Sequence, residues 1–275
     1  MLGTVTDAED MVQETFLRWQ QTTSETVRSA KSYLTAIVTR LCIDHMRSAR
    51  VRREQYVGTW LPEPMLTQPS NNPTELMELA DSLSIAFLTV LERLSPIERA
   101  VFLLRDVFEY DYEEISQMVG KSSTNCRQIL RRAKQQIAAE HPRFPVSHQQ
   151  QEEITAQFLD ASTSGDLQDL LLLLAKDVTF LSDGGGKVIA AIKPIHGAGK
   201  VARMLLAIRR KWLANANVVS RNVEINGQPG FIQYLNGHIH SAITLEIVDG
   251  RIQFIYSVRN PDKLKQICQE ISLEQ

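Results

Sequence analysis

Long apolar runs, paired cysteines and an excess of positive charge are all missing from this 275-residue sequence. No apolar stretch approaches the roughly 20 residues needed to cross a bilayer, and the N-terminal residues lack the basic and apolar parts of a signal peptide. We therefore expect a cytoplasmic protein without membrane contact. A hydrophobic content of 43% over this length suits two or three globular domains.

The cysteine spacing argues against a disulfide-linked or zinc-binding protein, and the net charge argues against a generally basic nucleic-acid-binding protein. Cys42, Cys126 and Cys268 lie far apart with no C-x-x-C spacing, so neither a disulfide framework nor a zinc site is expected. We predict no metal and no cofactor. The net charge of −2 and the pI of about 6.3 give no general attraction to nucleic acid. Any contact with DNA has to come from local basic clusters.

Proline is sparse outside one segment. Four of the ten prolines fall at 57–80, among serine and asparagine, which is typical of a linker. We predict helical segments at 1–56 and 81–140 on either side of it, then a short linker at 141–149 and an α+β domain at 150–275. Part of the first linker combines aromatic, apolar and proline residues, as in a segment that docks on a surface: Trp60, Leu61, Pro62, Glu63 and Pro64.

Capping signals divide the helical segments. A second helix is predicted over 29–50, ending in a dense basic cluster. Capping boxes that begin at Ser95 and Asp111, together with a helix stop at Gly120, predict the later helices. A capping box at 6–9 opens the first helix, and the side chains expected on its buried side are Met11, Val12, Phe16 and Trp19.

Two capped helices joined by a tight turn at Gly120 match the helix-turn-helix plan, whose second helix enters the major groove. Arginine and glutamine can read guanine and adenine edges with two hydrogen bonds, and neighbouring cations suit phosphates. The alternative interpretation is a solvated basic face on a structural helix pair. The candidate DNA-binding residues are Thr124, Asn125, Arg127, Gln128, Arg131, Arg132 and Lys134.

The last segment changes character. Two short helical stretches precede a strand-like run, and another helix is expected at 199–213. Three dipeptides typical of two-residue hairpins then follow, at 226–227, 236–237 and 249–250, with alternating apolar residues around them. This pattern predicts an antiparallel meander with helices packed on one face.

In this order, the segments resemble an extracytoplasmic-function sigma factor of bacterial RNA polymerase. The resemblance rests on "DAEDMVQETFLRW" and on "LSPIERAVFLLRDVFEYDYEEISQMVGKSSTNCRQILRRAKQQI". With "WLPEP", "DGGGK" and "RNPDKL", the chain is similar to the sigma-J-like subgroup. The implied fold class is multidomain: an all-α region two lacking its usual first helix, an all-α region-four helix-turn-helix, and an α+β cone of the SnoaL-like or NTF2-like kind.

The resemblance implies core RNA polymerase and promoter DNA as partners. Region four would read the −35 element through the candidate residues above and contact the β flap. Region two would dock on the β′ clamp helices through Asp10, Gln13, Glu14, Phe16, Leu17 and Arg18. The basic end of its next helix would meet the −10 element through His45, Arg47, Arg50, Arg52 and Arg53.

The resemblance also implies regulation in cis, with no separate anti-sigma factor and with a small apolar ligand in the SnoaL-like pocket as one expected signal. The C-terminal domain would contact the sigma domains through the linker and "DGGGK". Three consecutive glycines allow positive φ and close approach of a partner, and the valine after the lysine excludes a Walker loop. The assigned residues, besides Trp60–Pro64, are Asp183, Gly184, Gly185, Gly186, Lys187, Asn260, Pro261 and Asp262.

Catalysis is the competing hypothesis for the C-terminal domain, because SnoaL-like folds include enzymes that use Asp or His bases. No pair of suitable residues has a spacing that forces them together, so we predict no catalytic residue and no enzyme. The candidates are Asp183, His196, Tyr234, His238 and His240. Two alternatives stay open: a fused enzyme with a DNA-binding regulatory half, and a helix-turn-helix regulator that works without polymerase.

Overall fold

A computed structural model describes residues 1–22, 29–53, 56–67, 84–140, 146–213 and 216–268. The chain forms two compact units. Unit 1 combines Met1–Gln55 with Leu88–Pro142, and unit 2 combines Tyr56–Phe87 with Arg143–Gln275. None of the described helices is long and apolar enough to cross a bilayer.

Unit 1 is all helical in its described part. Its helices are α1 (Val5–Gln20), α2 (Ala30–Arg53), α3 (Ile85–Leu91, which straddles the division between the units), α4 (Pro96–Phe102), α5 (Tyr112–Val119) and α6 (Ser123–Glu140). A π-helical turn, Leu103–Val107, continues α4.

The predicted caps form the ends of these helices. The hydroxyl of Ser95 accepts a hydrogen bond from the backbone N–H of Glu98, and the Glu98 carboxylate accepts one from the Ser95 backbone N–H. Asp111 and Glu114 make the same reciprocal pair at the start of α5. Gly120 ends α5 in the left-handed conformation at φ +65°, where a residue with a Cβ is strained.

The first half of unit 1 packs on its second half through α2 and α5. The Arg40 guanidinium donates to the carbonyls of Gln117 and Met118 at 2.7 and 3.0 Å. The hydroxyls of Thr35 and Tyr110 are 2.9 Å apart. Arg40 thus satisfies carbonyl groups that the end of α5 leaves without helical partners.

Helix α1 differs from its prediction in two ways. Its N-cap is Thr4, which accepts from the Asp7 backbone N–H, and not the predicted Thr6. Val12 and Phe16, expected on the buried side, are 63% and 58% exposed. An amphipathic pattern identifies an apolar side but cannot say that the same chain covers it.

Unit 2 is built on one sheet. Two helices, α7 (His148–Ser164) and α8 (Leu167–Leu173), lead into it, and α9 (Ala198–Ile208) with the π-helical turn Arg209–Leu213 lies between its strands. The strands are β1 (Leu174–Asp183), β2 (Ile195–His196), β3 (Val218–Ile225), β4 (Gln228–Leu235), β5 (His238–Val248) and β6 (Arg251–Val258). Their order is β2-β1-β6-β5-β4-β3.

The three predicted hairpins join β3 to β6. The first residue of each turn, Asn226, Asn236 or Asp249, has positive φ, and so does the glycine after it, as type I′ turns require. The sequence did not indicate that β1 pairs parallel with β6, with Phe180 opposite Ile255.

The sheet has a core on each face. Helices α7, α8 and α9 pack against one face, around Phe158 and Phe231. On the other face, Leu61 of the first linker packs with Leu264 and Ile267 near the C-terminus. The linker then pairs with the edge of β3, where the Asn226 N–H donates to the Met65 carbonyl at 2.8 Å.

Candidate nucleic-acid interface and linker site

Helix α6 presents the predicted DNA-reading side to solvent. Its first turn is capped by Ser122, whose hydroxyl accepts from the Asn125 backbone N–H at 3.3 Å. The opposite side of the helix is apolar and buried: Cys126, Ile129, Leu130, Ala133 and Ile137. The predicted DNA-binding residues of α6 are all exposed: Thr124, Asn125, Arg127, Gln128, Arg131, Arg132 and Lys134.

An open groove of about 420 Å³ runs along this side of α6, between Arg127, Arg131, Lys134 and Tyr112 at the start of α5. The Arg127 guanidinium stacks on the Tyr112 ring, 4.8 Å from its centre. This contact restricts a long side chain that would otherwise lose rotamer freedom on binding DNA. Tyr112 was not predicted as part of this site; its place at the start of α5 was the available signal.

Further charged residues surround the groove. The Lys134 ammonium pairs with the Asp106 carboxylate at 2.8 Å. The Arg105 guanidinium lies 5.1 Å from the centre of the Tyr112 ring, on which Arg127 also stacks. The groove is therefore basic, with one acidic group at its edge.

The basic end of α2 is described only in part. The His45 ring lies 3.3 Å from the Asp7 carboxylate, and Arg47 is 3.3 Å from Asp44 on its own helix. The other predicted −10 residues belong to α2, but their side chains lie outside the described part: Arg50, Arg52 and Arg53.

Helix α1 carries an exposed apolar pair with a polar rim. Phe16 and Leu17 are 58% and 52% exposed. Around them, the Arg18 guanidinium pairs with the Glu14 carboxylate at 2.8 Å, and Asp10 and Gln13 are exposed. Apolar anchors ringed by polar groups are the usual composition of a protein interface.

In unit 2, Asp183 at the end of β1 is the centre of a buried polar site. It is 0% exposed. One carboxylate oxygen accepts from the Tyr56 hydroxyl at 2.6 Å and from the Gly185 N–H at 3.0 Å. The other accepts from the Leu61 N–H at 2.9 Å and from the Lys263 ammonium at 2.7 Å. A buried carboxylate with four donors, one of them a paired cation, is fully satisfied.

Lys263 completes the site. It is 5% exposed. Its ammonium also donates to the Leu61 carbonyl and lies 4.0 Å from the centre of the Trp60 ring. Burial, and next to it Asp183, raise the pKa of Tyr56 far above its usual value, so the phenol keeps its proton and remains a donor. Asn260 donates to the Tyr56 oxygen at 2.9 Å.

The structure thus brings together three stretches that the sequence analysis singled out separately. Linker residues 60–64, the loop at 183–187 and the 259–264 segment all meet within unit 2. Trp60 is partly buried, and Leu61 to Pro64 are buried. On the surface of this site the Lys187 ammonium pairs with Asp262, and hydrogen bonds from Lys187 lower the pKa of that carboxyl. Tyr56 and Lys263 were not among the residues predicted from the sequence.

Neighbouring atoms leave little room for a side chain at the three glycines of the loop. Gly185 has φ +61°, and a Cβ there would overlap the Asn260 amide. A Cβ on Gly184 would overlap the Val188 carbonyl, and one on Gly186 would press on Val57 at 3.2 Å. The close approach predicted for these glycines therefore involves the 260s segment and the linker.

Replacing Gly185 by alanine is expected to lower the free energy of unfolding by about 2–3 kcal/mol, because left-handed strain adds to displacement of Asn260 from Tyr56. Gly237→Ala is the matched control. Gly237 has φ +83° in the same unit, but nothing lies within 4 Å of a Cβ there. Urea unfolding of both variants checks the prediction, and equal losses would contradict it.

The five catalytic candidates do not form one constellation. Asp183 is occupied by its four donors. The His196 ring nitrogen bonds Thr179 at 3.0 Å, and the His240 ring nitrogen lies 2.9 Å from the Arg259 guanidinium. Burial and then Arg259 lower the pKa of His240. Within the described residues, no hydrogen bond joins any two of the candidates, which include Tyr234 and His238.

Family models match both halves of unit 1. Residues 1–52 match the "Sigma-70 region 2" family and residues 84–137 match "Sigma-70, region 4". The whole chain is 33% identical to the "ECF RNA polymerase sigma factor SigJ" of Mycobacterium tuberculosis, over 96% of this chain and 87% of that protein. The chain belongs to the extracytoplasmic-function sigma factors.

Further relatives agree with this assignment. The "Probable ECF RNA polymerase sigma factor SigI" of M. tuberculosis is 31% identical over 98% of this chain and 91% of its own length. The crystal structure of M. tuberculosis SigJ superimposes with a TM-score of 0.75 at 30% identity, covering 96% of this chain and 91% of that one. The predicted fold class, two all-α sigma domains followed by an α+β domain, is confirmed.

Membership in this family establishes the general function. The sigma factor takes part in transcription initiation with RNA polymerase at promoters. The prediction that the chain is not an enzyme is confirmed by the same relatives. Promoter DNA and core RNA polymerase are its partners.

Proposed function

We propose that this sigma factor reads its promoter through two faces of unit 1. The observation that carries the proposal is the exposed row of polar and basic side chains on α6, opposite a buried apolar stripe. A recognition helix needs this division, since its base-reading side must remain accessible to the major groove. The −35 element is assigned to α6 and the −10 element to the basic end of α2.

Polymerase contact is assigned to α1. Phe16 and Leu17 supply apolar anchors for the β′ clamp helices, and region four would contact the β flap. This sharing of tasks explains how a chain of net charge −2 acts on DNA. Polymerase, in the cytoplasm, holds two modest DNA contacts at a fixed spacing, which raises the effective concentration of each.

We also propose that unit 2 regulates the sigma factor in cis by holding the linker between region two and region four. Asp183 and Lys263 bind the backbone N–H and carbonyl of Leu61. The described linker residues 56–67 belong to unit 2. An extended residue spans about 3.3 Å, so the 12 docked residues correspond to about 40 Å of chain. While docked, this length cannot extend freely to separate the two DNA-binding regions.

The proposal includes no separate anti-sigma factor. A small apolar ligand that binds unit 2 would act by shifting the balance between docked and released linker. Such a ligand can change this balance only by the difference between its affinities for the two states. The regulatory contact itself consists of the residues around Asp183.

Replacing Arg127 by alanine tests the assignment of α6. Loss of one bidentate contact to a base is expected to reduce transcription from the cognate promoter about 10- to 100-fold. It is also expected to relax the base preference at one position of the −35 element. Run-off transcription on promoters mutated at each −35 position measures both effects.

Lys134→Gln is the matched control for Arg127→Ala, because its ammonium suits phosphate. It is expected to weaken all promoters by a similar factor and leave base preference unchanged. If Arg127→Ala and Lys134→Gln have the same effect at every −35 position, α6 does not read bases through Arg127.

A further inference from the structure

The most one-sided charge distribution in the chain lies in unit 2. Between Asp183 and Glu224 there are eight lysines and arginines and no acidic residue. The predicted function of unit 2 uses only one of these cations, Lys187. The others need a separate account.

Helix α9 and the π-helical turn after it expose three of these cations. Val201 and Ala202 are buried against the helix-covered face of the sheet. Lys200 and Arg203 are exposed three residues apart, on the opposite side of α9, and Arg210 is exposed in the π-helical turn that follows. We call these three residues the basic stripe.

Stability does not account for the basic stripe. None of its three side chains forms an ion pair with any residue in the described part of the chain. Lys200 lies in the first turn of α9, where the helix dipole favours anions, and Arg203 follows three residues later with the same charge. By contrast, Arg18 on α1 and Arg47 on α2 pair with carboxylates of their own helices.

We infer that the basic stripe binds the sugar–phosphate backbone of promoter DNA outside the −10 and −35 elements. This inference rests on the proposed promoter-reading function. The ten residue steps from Lys200 to Arg210 span at most about 15 Å at the α-helical rise. A duplex places a phosphate about every 3.4 Å along each strand, so the stripe faces about four phosphates. Its contribution is independent of sequence and adds to the contacts of unit 1.

The environment of α9 favours DNA over a membrane surface. Helices that lie on anionic membranes expose large apolar side chains next to their cations. The apolar side of α9 instead packs into the core of unit 2, through Val201, Ala202 and the partly buried Leu205. Between Arg203 and Arg210 the exposed position is the small Ala207, which lets a phosphate backbone approach closely.

Salt dependence of promoter binding tests the inference. The variant is Lys200→Gln/Arg203→Gln, and the matched control is Lys176→Gln/Arg251→Gln, which removes the same charges from exposed strand positions of unit 2. Both are studied as full-length chains bound to core polymerase. The slope of log affinity against log salt concentration is expected to fall by about 1.8 for the stripe variant, or about 0.9 per phosphate contact. Adding Arg210→Gln is expected to extend the fall to about 2.7.

The other outcomes are separable. The same fall on a promoter with a scrambled −35 element supports a sequence-independent contact. A slope equal to that of the control variant overturns the inference, as does an unchanged slope with lost binding to phosphatidylglycerol vesicles. Failure of the parent chain to direct core polymerase to any promoter would instead refute the proposed function. Unfolding by urea should be unaffected, since glutamine suits a helix and relieves like-charge repulsion.

Discussion

Replacing Asp183 by asparagine is expected to lower the free energy of unfolding of the sigma factor by about 3–5 kcal/mol, because it leaves the buried Lys263 ammonium without its counter-charge. Asparagine keeps the shape of the side chain and one carbonyl acceptor. The lost stability is therefore due to removal of the negative charge and not to a cavity. Urea unfolding monitored by circular dichroism measures this loss.

A double-mutant cycle provides the control. Lys263→Met removes the ammonium and retains most of the side-chain volume. The pair Asp183→Asn/Lys263→Met should be more stable than the sum of the single losses predicts, by about 2 kcal/mol or more. Strictly additive losses would show that the two charges do not depend on each other.

The same variants test regulation in cis. Release of the linker is expected to broaden the range of spacings between −35 and −10 elements at which the holoenzyme transcribes. Tyr56→Phe is the milder variant, since it removes one hydrogen bond to the Asp183 carboxylate and leaves the ion pair. A spacing preference identical to that of the parent in both variants would contradict the proposal that unit 2 acts through the linker.

Local chemistry made a large part of the fold predictable. The capping boxes at Ser95 and Asp111, the stop at Gly120 and the hairpin turns each depend on residues at most three positions apart. The two sides of α6 were predictable for the same reason, because its buried apolar residues and its exposed polar residues follow one helical period. What the structure adds for α6 is the contacts of its side chains with other elements, such as the stacking of Arg127 on Tyr112.

Long-range pairings were not predictable. The parallel pairing of β1 with β6 joins residues more than 70 positions apart, and no turn signal records it. Lys263 pairs with Asp183 across 80 positions. The linker showed apolar character at Trp60 and Leu61, but only the structure shows that this character serves the core of unit 2.

The pattern of α1 shows a different limit. Val12 and Phe16 have the spacing of a buried side, yet both are exposed. A stripe that binds another protein and a stripe that binds the rest of its own chain have the same periodicity. Only the resemblance to sigma factors predicted Phe16 as a docking residue, and that role remains a prediction.

Unit 1 as described is too small to occupy both promoter elements at once. By their own numbering the −35 and −10 elements lie about 25 base pairs apart, or about 85 Å along B-form DNA. A compact unit of the size of unit 1 has a diameter of about 35 Å. The contact of α2 with α5, made by Arg40 on the carbonyls of Gln117 and Met118, therefore has to open when both elements are bound.

Covalent closure of this contact is expected to abolish promoter-specific transcription. The variant Arg40→Cys/Gln117→Cys/Cys268→Ser places two exposed thiols across the contact and removes the exposed native one, while Cys42 and Cys126 are buried from reagents. A short, reducible bis-maleimide joins the new thiols. Transcription from a promoter with −35 and −10 elements should fall to background after cross-linking. It should recover when the bis-maleimide cross-link is reduced.

The control is Arg40→Cys/Cys268→Ser treated with the same reagent, which lacks the second thiol and should transcribe. A single guanidinium bridges the two halves of unit 1 at this point, so the control is expected to exceed the parent chain in transcription at limiting core polymerase. Loss of two charge-assisted hydrogen bonds, worth about 1.5–3 kcal/mol each at most, makes the open state easier to reach. Full transcription by the cross-linked triple variant would show that region two and region four act on promoters without separating.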